Sequence, residues 1–119
     1  ALRIRKLFGG GMRQAGFLAA AAIYALDNHL ERLAEDHQKA KEIGVVLESL
    51  SYVTKVETIE TNIIIFYVNE KIGAVHFINK MKDKNILLTP MGEGRIRIVT
   101  HLDYTDKMHE RLLKELKSF

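Results

Sequence analysis

Apolar residues fill positions 12–26, interrupted only by Arg13 and Gln14. Ala and Leu dominate the run, which favours a helix. No hydrophilic stripe is left, so such a helix needs cover on every side. It is shorter than the ~20 apolar residues of a membrane span. Cover from outside the chain is therefore expected: a further domain, a second subunit, or both. A second helix is expected from Asn28, with Glu31 three residues on as a capping-box partner. Leu30, Leu33, Ala34, Ala40, Ile43, Leu47 and Leu50 recur at helical spacing, with His37 on the same stripe. Glu35 and Lys39 are spaced for an i,i+4 pair. The acids Glu35 and Asp36 read as a solvated face.

The period then changes. Residues 53–60 alternate weakly, and 62–68 are β-branched and aromatic, as in strands. Asn69 is expected to cap a helix to about Lys82, with Ile72, Val75, Ile78 and Met81 inward. A turn at 83–85 precedes a short strand at 86–89, closed by Pro90. Gly92-Glu93-Gly94 reads as a hairpin loop, and 95–100 as a strand. Thr105 is expected to cap the last helix, with Met108, Leu112, Leu113 and Leu116 inward. This order predicts an α+β fold, a small antiparallel sheet covered by helices. Residues 1–119 read as one domain whose leading helix, about 12–26, bridges to something upstream.

Composition narrows the functional classes. A chain of 119 residues, 47% apolar and 28% charged, can build one core and is not disordered. Eighteen basic against fifteen acidic residues leave a net charge of only +3, so nucleic acid is not an expected partner. Absence of Cys excludes disulfides and thiol nucleophiles. No two of the five His have metal-site spacing, so no metal is expected. No signal peptide or membrane span is visible, and a cytoplasmic location is expected. The chain opens on Ala1 rather than Met, which fits trimming or a piece of something longer.

Two segments carry candidate chemistry. In the strand at 95–100, Ile96 and Ile98 share one face while Arg95, Arg97 and Val99 share the other. Two guanidinium groups on one face form either a solvated polar surface or an anion site. Arg meets a carboxylate through a planar fork of two hydrogen bonds. Gly9-Gly10-Gly11 precedes the first expected helix, flanked by Lys6 and Arg13. Glycine amides at a helix start suit an anion. The spacing matches neither dinucleotide nor P-loop patterns, and a flexible joint explains the glycines equally well. His101 follows the arginine strand and reads as a structural hydrogen-bonding residue. No lysine lies in an apolar setting that would obviously lower its pKa.

Read together, these segments resemble a known family. Arg5-Lys6-Leu7-Phe8-Gly9-Gly10-Gly11-Met12-Arg13-Gln14-Ala15-Gly16, followed by Leu18-Ala19-Ala20-Ala21, is similar to the threonine aldolase family. Ile23-Tyr24-Ala25-Leu26, Arg32-Leu33-Ala34-Glu35-Asp36-His37 and Arg97-Ile98-Val99-Thr100-His101-Leu102-Asp103 continue the match. The likeness spans nearly the whole chain and is loosest at 51–84. It implies a pyridoxal 5'-phosphate lyase of the aspartate-aminotransferase fold type, cleaving β-hydroxy-α-amino acids to glycine and an aldehyde. It also implies a homodimer or homotetramer with active sites between subunits.

In that family the cofactor-binding lysine, the ring-stacking histidine and the acid at the pyridine nitrogen lie upstream of the block that begins this chain. No lysine here matches. The resemblance therefore implies only the C-terminal portion, inactive alone and not binding the cofactor by itself. Arg97 stands where the family's arginine holds the substrate α-carboxylate. Arg13 and Lys6 match basic residues placed near the cofactor phosphate. Arg95 falls at a position usually apolar in the family. His101 and Asp103 match in type and are given structural roles. The competing reading is a non-catalytic α+β module that dimerises or binds a small anion.

Overall fold

Along the two central strands of the sheet, alternate side chains are buried, and this alternation organises the larger part of the molecule. The computed structural model describes residues 1–119, which divide into two units, 1–33 and 34–119.

In unit 1, α1 (Leu2–Leu7) and α2 (Gly16–His29) are helical, and neither contains a buried residue. Phe17, Leu18, Ile23, Tyr24 and Leu26 of α2 are all exposed. Helix α1 is absent from the sequence expectation, and α2 begins and ends later than 12–26. Asn28 does not cap a second helix. It lies inside α2, and its side-chain amide donates to the Tyr24 carbonyl at 2.8 Å.

Unit 2 holds nearly all of α3 (Leu33–Glu48), then β1 (Val53–Val56), β2 (Ile63–Val68), α4 (Ala74–Asp83), β3 (Thr89–Pro90), β4 (Arg95–Val99) and α5 (Asp106–Lys117). The strands form one antiparallel sheet in the order β1-β2-β4-β3. Ile64, Phe66 and Val68 of β2 and Ile96 and Ile98 of β4 point to one face. Ala40, Ile43 and Leu47 of α3, Phe77 and Met81 of α4, and Leu112 and Leu116 of α5 complete the core on that face. The expected α+β design of helices on a small antiparallel sheet is the one found.

Aromatic rings fill one part of this core. Phe66 and Phe77 meet edge-on at 5.8 Å, and Phe77 and Phe119 lie 4.7 Å apart. Tyr52 packs on both Phe77 and Phe119 and donates its hydroxyl to the Leu116 carbonyl at 2.7 Å. Burial pushes that phenol up to about 12.

Several local expectations are corrected. The buried stripe of α3 is Asp36, Ala40, Ile43, Gly44 and Leu47. Asp36 is only 3% exposed, so it does not belong to a solvated face. The true phase of the helix brings 36, not 37, into line with 40 and 47. Lys39 pairs with Asp106 at 2.7 Å rather than with Glu35. A Cβ on Gly44 would collide with the Ile59 side chain, so a bare backbone is used where that chain crosses α3. Asn69 accepts from the Ile72 amide in a turn, and α4 starts only at Ala74. Within α4, Val75 is exposed and Phe77 rather than Val75 enters the core beside Met81. The strand expected at 86–89 shrinks to Thr89–Pro90. In α5 the inner positions are His109, Leu112 and Leu116, while Met108 is exposed.

Thr100, fully buried at the end of β4, donates its hydroxyl to the Asp36 carbonyl at 2.7 Å. Its carbonyl accepts from the Asn62 side chain at 2.7 Å. Replacing Thr100→Val keeps the shape and deletes the hydroxyl donor. It should cost about 1 kcal/mol, the net worth of a typical hydrogen bond. The check is a fall in urea midpoint at unchanged slope.

Four carboxylates sit below their ordinary range: Glu42, bonded by Gln38 and His109; Glu57, by Lys55 and Tyr67; Asp106, by Lys39; and Glu115, by Lys84. A depressed folded pKa gives stability that is present above the unfolded value and lost as pH falls through the folded one. Urea midpoints should therefore fall as pH drops below about 4.5, the ordinary Glu value. Asp106→Asn should flatten part of that fall. All four side chains reach solvent, from 23% exposure at Glu115 to 87% at Asp106, so each step is small.

Candidate functional site

The core side of β4 decides where its arginines go. Ile96 and Ile98 are buried at 0% and 7% exposure, so Arg95, Arg97 and Val99 stand on the opposite face. Arg97 lies on an interior strand, opposite Ile65 of β2 on one side and Thr89 of β3 on the other. Its backbone is thereby fixed from both edges.

The two arginines differ in their partners. Arg95 pairs with Glu93 at 3.2 Å and reaches the Gly92 carbonyl at 3.5 Å. It is tied to the hairpin loop that starts its own strand. The Nε of Arg97 is buried and has no hydrogen-bond partner. A buried donor without an acceptor costs roughly 1–3 kcal/mol. Such a group marks a place where an acceptor is missing.

Arg97 contributes to the lining of a cleft of about 550 Å³. The segment 85–89, His101, Asp103, Tyr104 and the α5 residues Met108 and Arg111 form other walls. Arg111 donates to the Lys84 carbonyl at 2.6 Å, tying α5 to the turn after α4. The Nδ1 of His101 accepts from the Asp103 amide at 3.2 Å, which holds the turn after β4. No lysine lines the cleft. It offers a guanidinium for an anion but no amine to attack a carbonyl.

Behind this wall lies a chain of contacts that the sequence pattern did not reveal. Tyr104 lies 3.3 Å from the Nδ1 of His109, and the Nε2 of His109 lies 2.9 Å from the Glu42 carboxylate. Lys39 donates to the Tyr104 carbonyl at 3.1 Å. Burial pushes the Tyr104 phenol above its ordinary range, so it stays an O–H. His109 was legible in principle, because 109, 112 and 116 share one helical face. Counting histidine as polar hides that signal.

Lys6 and Arg13, singled out in the sequence, lie in unit 1 and are exposed. Lys6 lies in the last turn of α1, and Arg13 sits in the turn before α2. The glycines between them do not start a helix. Gly9 stands at φ +78°, its amide donating to the Lys6 carbonyl at 3.1 Å, while Gly10 donates to the Arg5 carbonyl at 2.7 Å. This pair of bonds is a Schellman stop for α1. Both amides are consumed in it, so the idea of an anion cradle at a helix start is withdrawn for Gly9 and Gly10. The same stop leaves Lys6 in the last turn of α1, where a cation is favoured by the helix dipole.

With this geometry in view, comparison with known proteins is informative. The family model described as beta-eliminating lyase matches residues 1–71. A probable low-specificity L-threonine aldolase 2 of Arabidopsis thaliana is 39% identical over 109 residues, 87% of this chain and 30% of its own length. The low specificity L-threonine aldolase of Escherichia coli K12 is 37% identical over all 119 residues, 34% of its length. Among solved structures, the cystine C-S lyase C-DES with its product cysteine persulfide superposes with a TM-score of 0.68. It is 21% identical over 88% of this chain and 29% of that one. A lysine-to-alanine variant of that lyase carries glycine covalently linked to its PLP cofactor. This chain thus spans about a third of the length of the relatives it matches. On the extent of the family match and the identity of its relatives, the chain belongs to the beta-eliminating lyase family, in its threonine aldolase branch.

Proposed function

We propose that this chain is the C-terminal part of a pyridoxal-phosphate-dependent aldolase that cleaves β-hydroxy-α-amino acids to glycine and an aldehyde. Its own task is to hold the substrate's α-carboxylate on Arg97. The observation that carries this is the buried Nε of Arg97, left without an acceptor in the lining of a cleft. Its neighbour Arg95 is already paired within the chain.

A carboxylate is the acceptor that a guanidinium fork fits best. Holding it by two parallel bonds fixes both position and rotation of the amino acid. The bond from Cα to Cβ can then be held at a chosen angle to whatever withdraws its electrons, which is a positioning effect. Because β4 is laddered on both sides, the fork is aimed by a rigid strand rather than by a loop. Leu87, Leu88 and Val99 give the cleft lining apolar surface.

The chain's fit to the cofactor is partial. Exposed Lys6 and Arg13 have the chemistry to meet a phosphate, and we assign them that role. No lysine lines the Arg97 cleft, and we assign the cofactor-binding amine to residues outside this chain. Bound pyridoxal phosphate would supply the ring that draws off electrons as the Cα–Cβ bond breaks. In this reading the whole protein works in the cytoplasm as a homo-oligomer. No helix of the chain is long and apolar enough to cross a membrane.

In the longer protein that contains this chain, Arg97→Leu should lower kcat/KM for threonine by the equivalent of about 2–5 kcal/mol, the usual loss on truncating a buried charged pair. Arg97→Lys should restore only part of it, since an ammonium cannot make the planar fork. Unchanged steady-state kinetics in Arg97→Leu would remove the clamp. The 119-residue chain supplied with pyridoxal phosphate should release no glycine from threonine. Measurable turnover by the purified chain would overturn the proposed division of labour.

A further inference from the structure

We propose that His109 is a positioning residue. Its imidazole, wedged between the Glu42 carboxylate and the Tyr104 hydroxyl, sets the wall of the Arg97 cleft from behind in a single tautomer with the proton on Nε2.

Helix α3 offers three groups in a row at spacings of three residues. The carbonyl of Asp36 takes the hydroxyl of Thr100 at 2.7 Å, directly after β4. Lys39 takes the carbonyl of Tyr104 at 3.1 Å and the carboxylate of Asp106 at 2.7 Å. Glu42 takes Nε2 of His109 at 2.9 Å. The path from the arginine strand through the 101–104 turn into α5 is thus fastened to one helix at its start, middle and end. His101, Asp103, Tyr104 and Met108 on that path line the cleft. His109 is the only one of these fasteners that bonds on two sides with one ring.

The chemistry fixes the tautomer. Glu42 is held below its ordinary range by Gln38 and His109, so it is a carboxylate and can only accept. Nε2 must then donate. Nδ1 of the neutral ring is left as the acceptor for the Tyr104 hydroxyl. His109 is 7% exposed, so this choice is not shared with bulk water. The groups facing the ring are Glu42 and, further off, Lys39 from α3, Tyr104 from the turn, and Asp106 on its own helix. Protonating the ring would turn Nδ1 into a second donor. The Tyr104 hydroxyl would then lose the acceptor it has within the chain and would have to turn away. The wall behind Arg97 therefore depends on which ring nitrogen of His109 donates, although His109 itself does not line the cleft.

The functional consequence rests on the clamp reading of Arg97, but the test does not. In the 119-residue chain, nitrogen NMR should show the His109 ring with Nε2 protonated and Nδ1 bare at pH 7.5. Loss of one buried hydrogen bond corresponds to about tenfold in a local opening equilibrium. His109→Phe should therefore speed solvent exchange at Arg97 Nε–H and the amides of 101–104 by about that factor, with the β1–β2 ladder unchanged. Glu42→Gln keeps an acceptor for Nε2–H and should stay near wild type, whereas Glu42→Leu should behave like His109→Phe.

Protonation on Nδ1 in the neutral ring would overturn the proposal. So would unchanged exchange at 101–104, or an equal rise at every amide. If His109→Phe fails to fold, Tyr104→Phe removes only the hydroxyl and should give the same local pattern. Unaltered exchange there would also overturn it. Normal kinetics in Arg97→Leu would remove the clamp and leave this assignment standing. A flat exchange result would remove this assignment and leave the clamp untouched.

Discussion

Burial of Ile96 and Ile98 on one side of β4 is the constraint on which the site depends. A strand has a period of two, so once those side chains enter the core, Arg97 must leave it. A one-residue slip would drive Arg95 and Arg97 under α3, α4 and α5. Burying an unpaired charge costs several kcal/mol, more than any alternative pairing could return. Register and site are therefore one specification. Phe66 and Ile64 opposite them enforce it from β2, because their own alternation would fail at the same time.

Helix α3 carries the second layer of control. Its core stripe holds the sheet, while Asp36 on that stripe and Lys39 and Glu42 off it fasten Thr100, Tyr104 and His109. One rigid element thus sets both the strand that carries Arg97 and the turn that walls its cleft. Were the turn held only by its own hydrogen bonds, such as Tyr104 to His101 at 2.8 Å, it would open independently of the core. Attachment to a helix buried along Ala40, Ile43 and Leu47 couples its opening to the opening of unit 2.

The sheet and its arginine face were legible because period-two patterns are local. Residues 95–100 show one without help from the rest of the chain, and 62–68 read as a strand from their β-branched and aromatic content. Helix ends were less legible. Asn28 and Asn69 have the right chemistry for caps, but one sits in the last turn of α2 and the other makes a turn. In both cases the Asn side chain is used in a local hydrogen bond to the backbone that competes with capping. Asp36 and His109 escaped notice for a related reason. Both are polar residues on buried stripes, and polarity alone assigns them to the surface. For His109 the explaining partner is Glu42, 67 residues away in the sequence. The glycine run misled differently: a Schellman stop at Gly9 and a cradle before a helix use the same residue type on opposite sides of a helix end.

The unequal treatment of the two arginines follows from the same economy of partners. Arg95 is satisfied by Glu93 in the tight loop before it, so it can add stability but has little left to offer a ligand. Arg97 keeps an unmet donor on a strand that cannot move to meet one. That deficit is a standing cost to the fold, about 1–3 kcal/mol for an unsatisfied buried group. A fold tolerates it where the rest of the core is complete, as the filled face of β4 is. An incoming carboxylate would recover that energy on binding. Because the strand is already fixed, little of it would be spent on ordering the protein. In the proposed reading, a donor left unmet in the free chain is what becomes binding energy and orientation at the substrate's acid end.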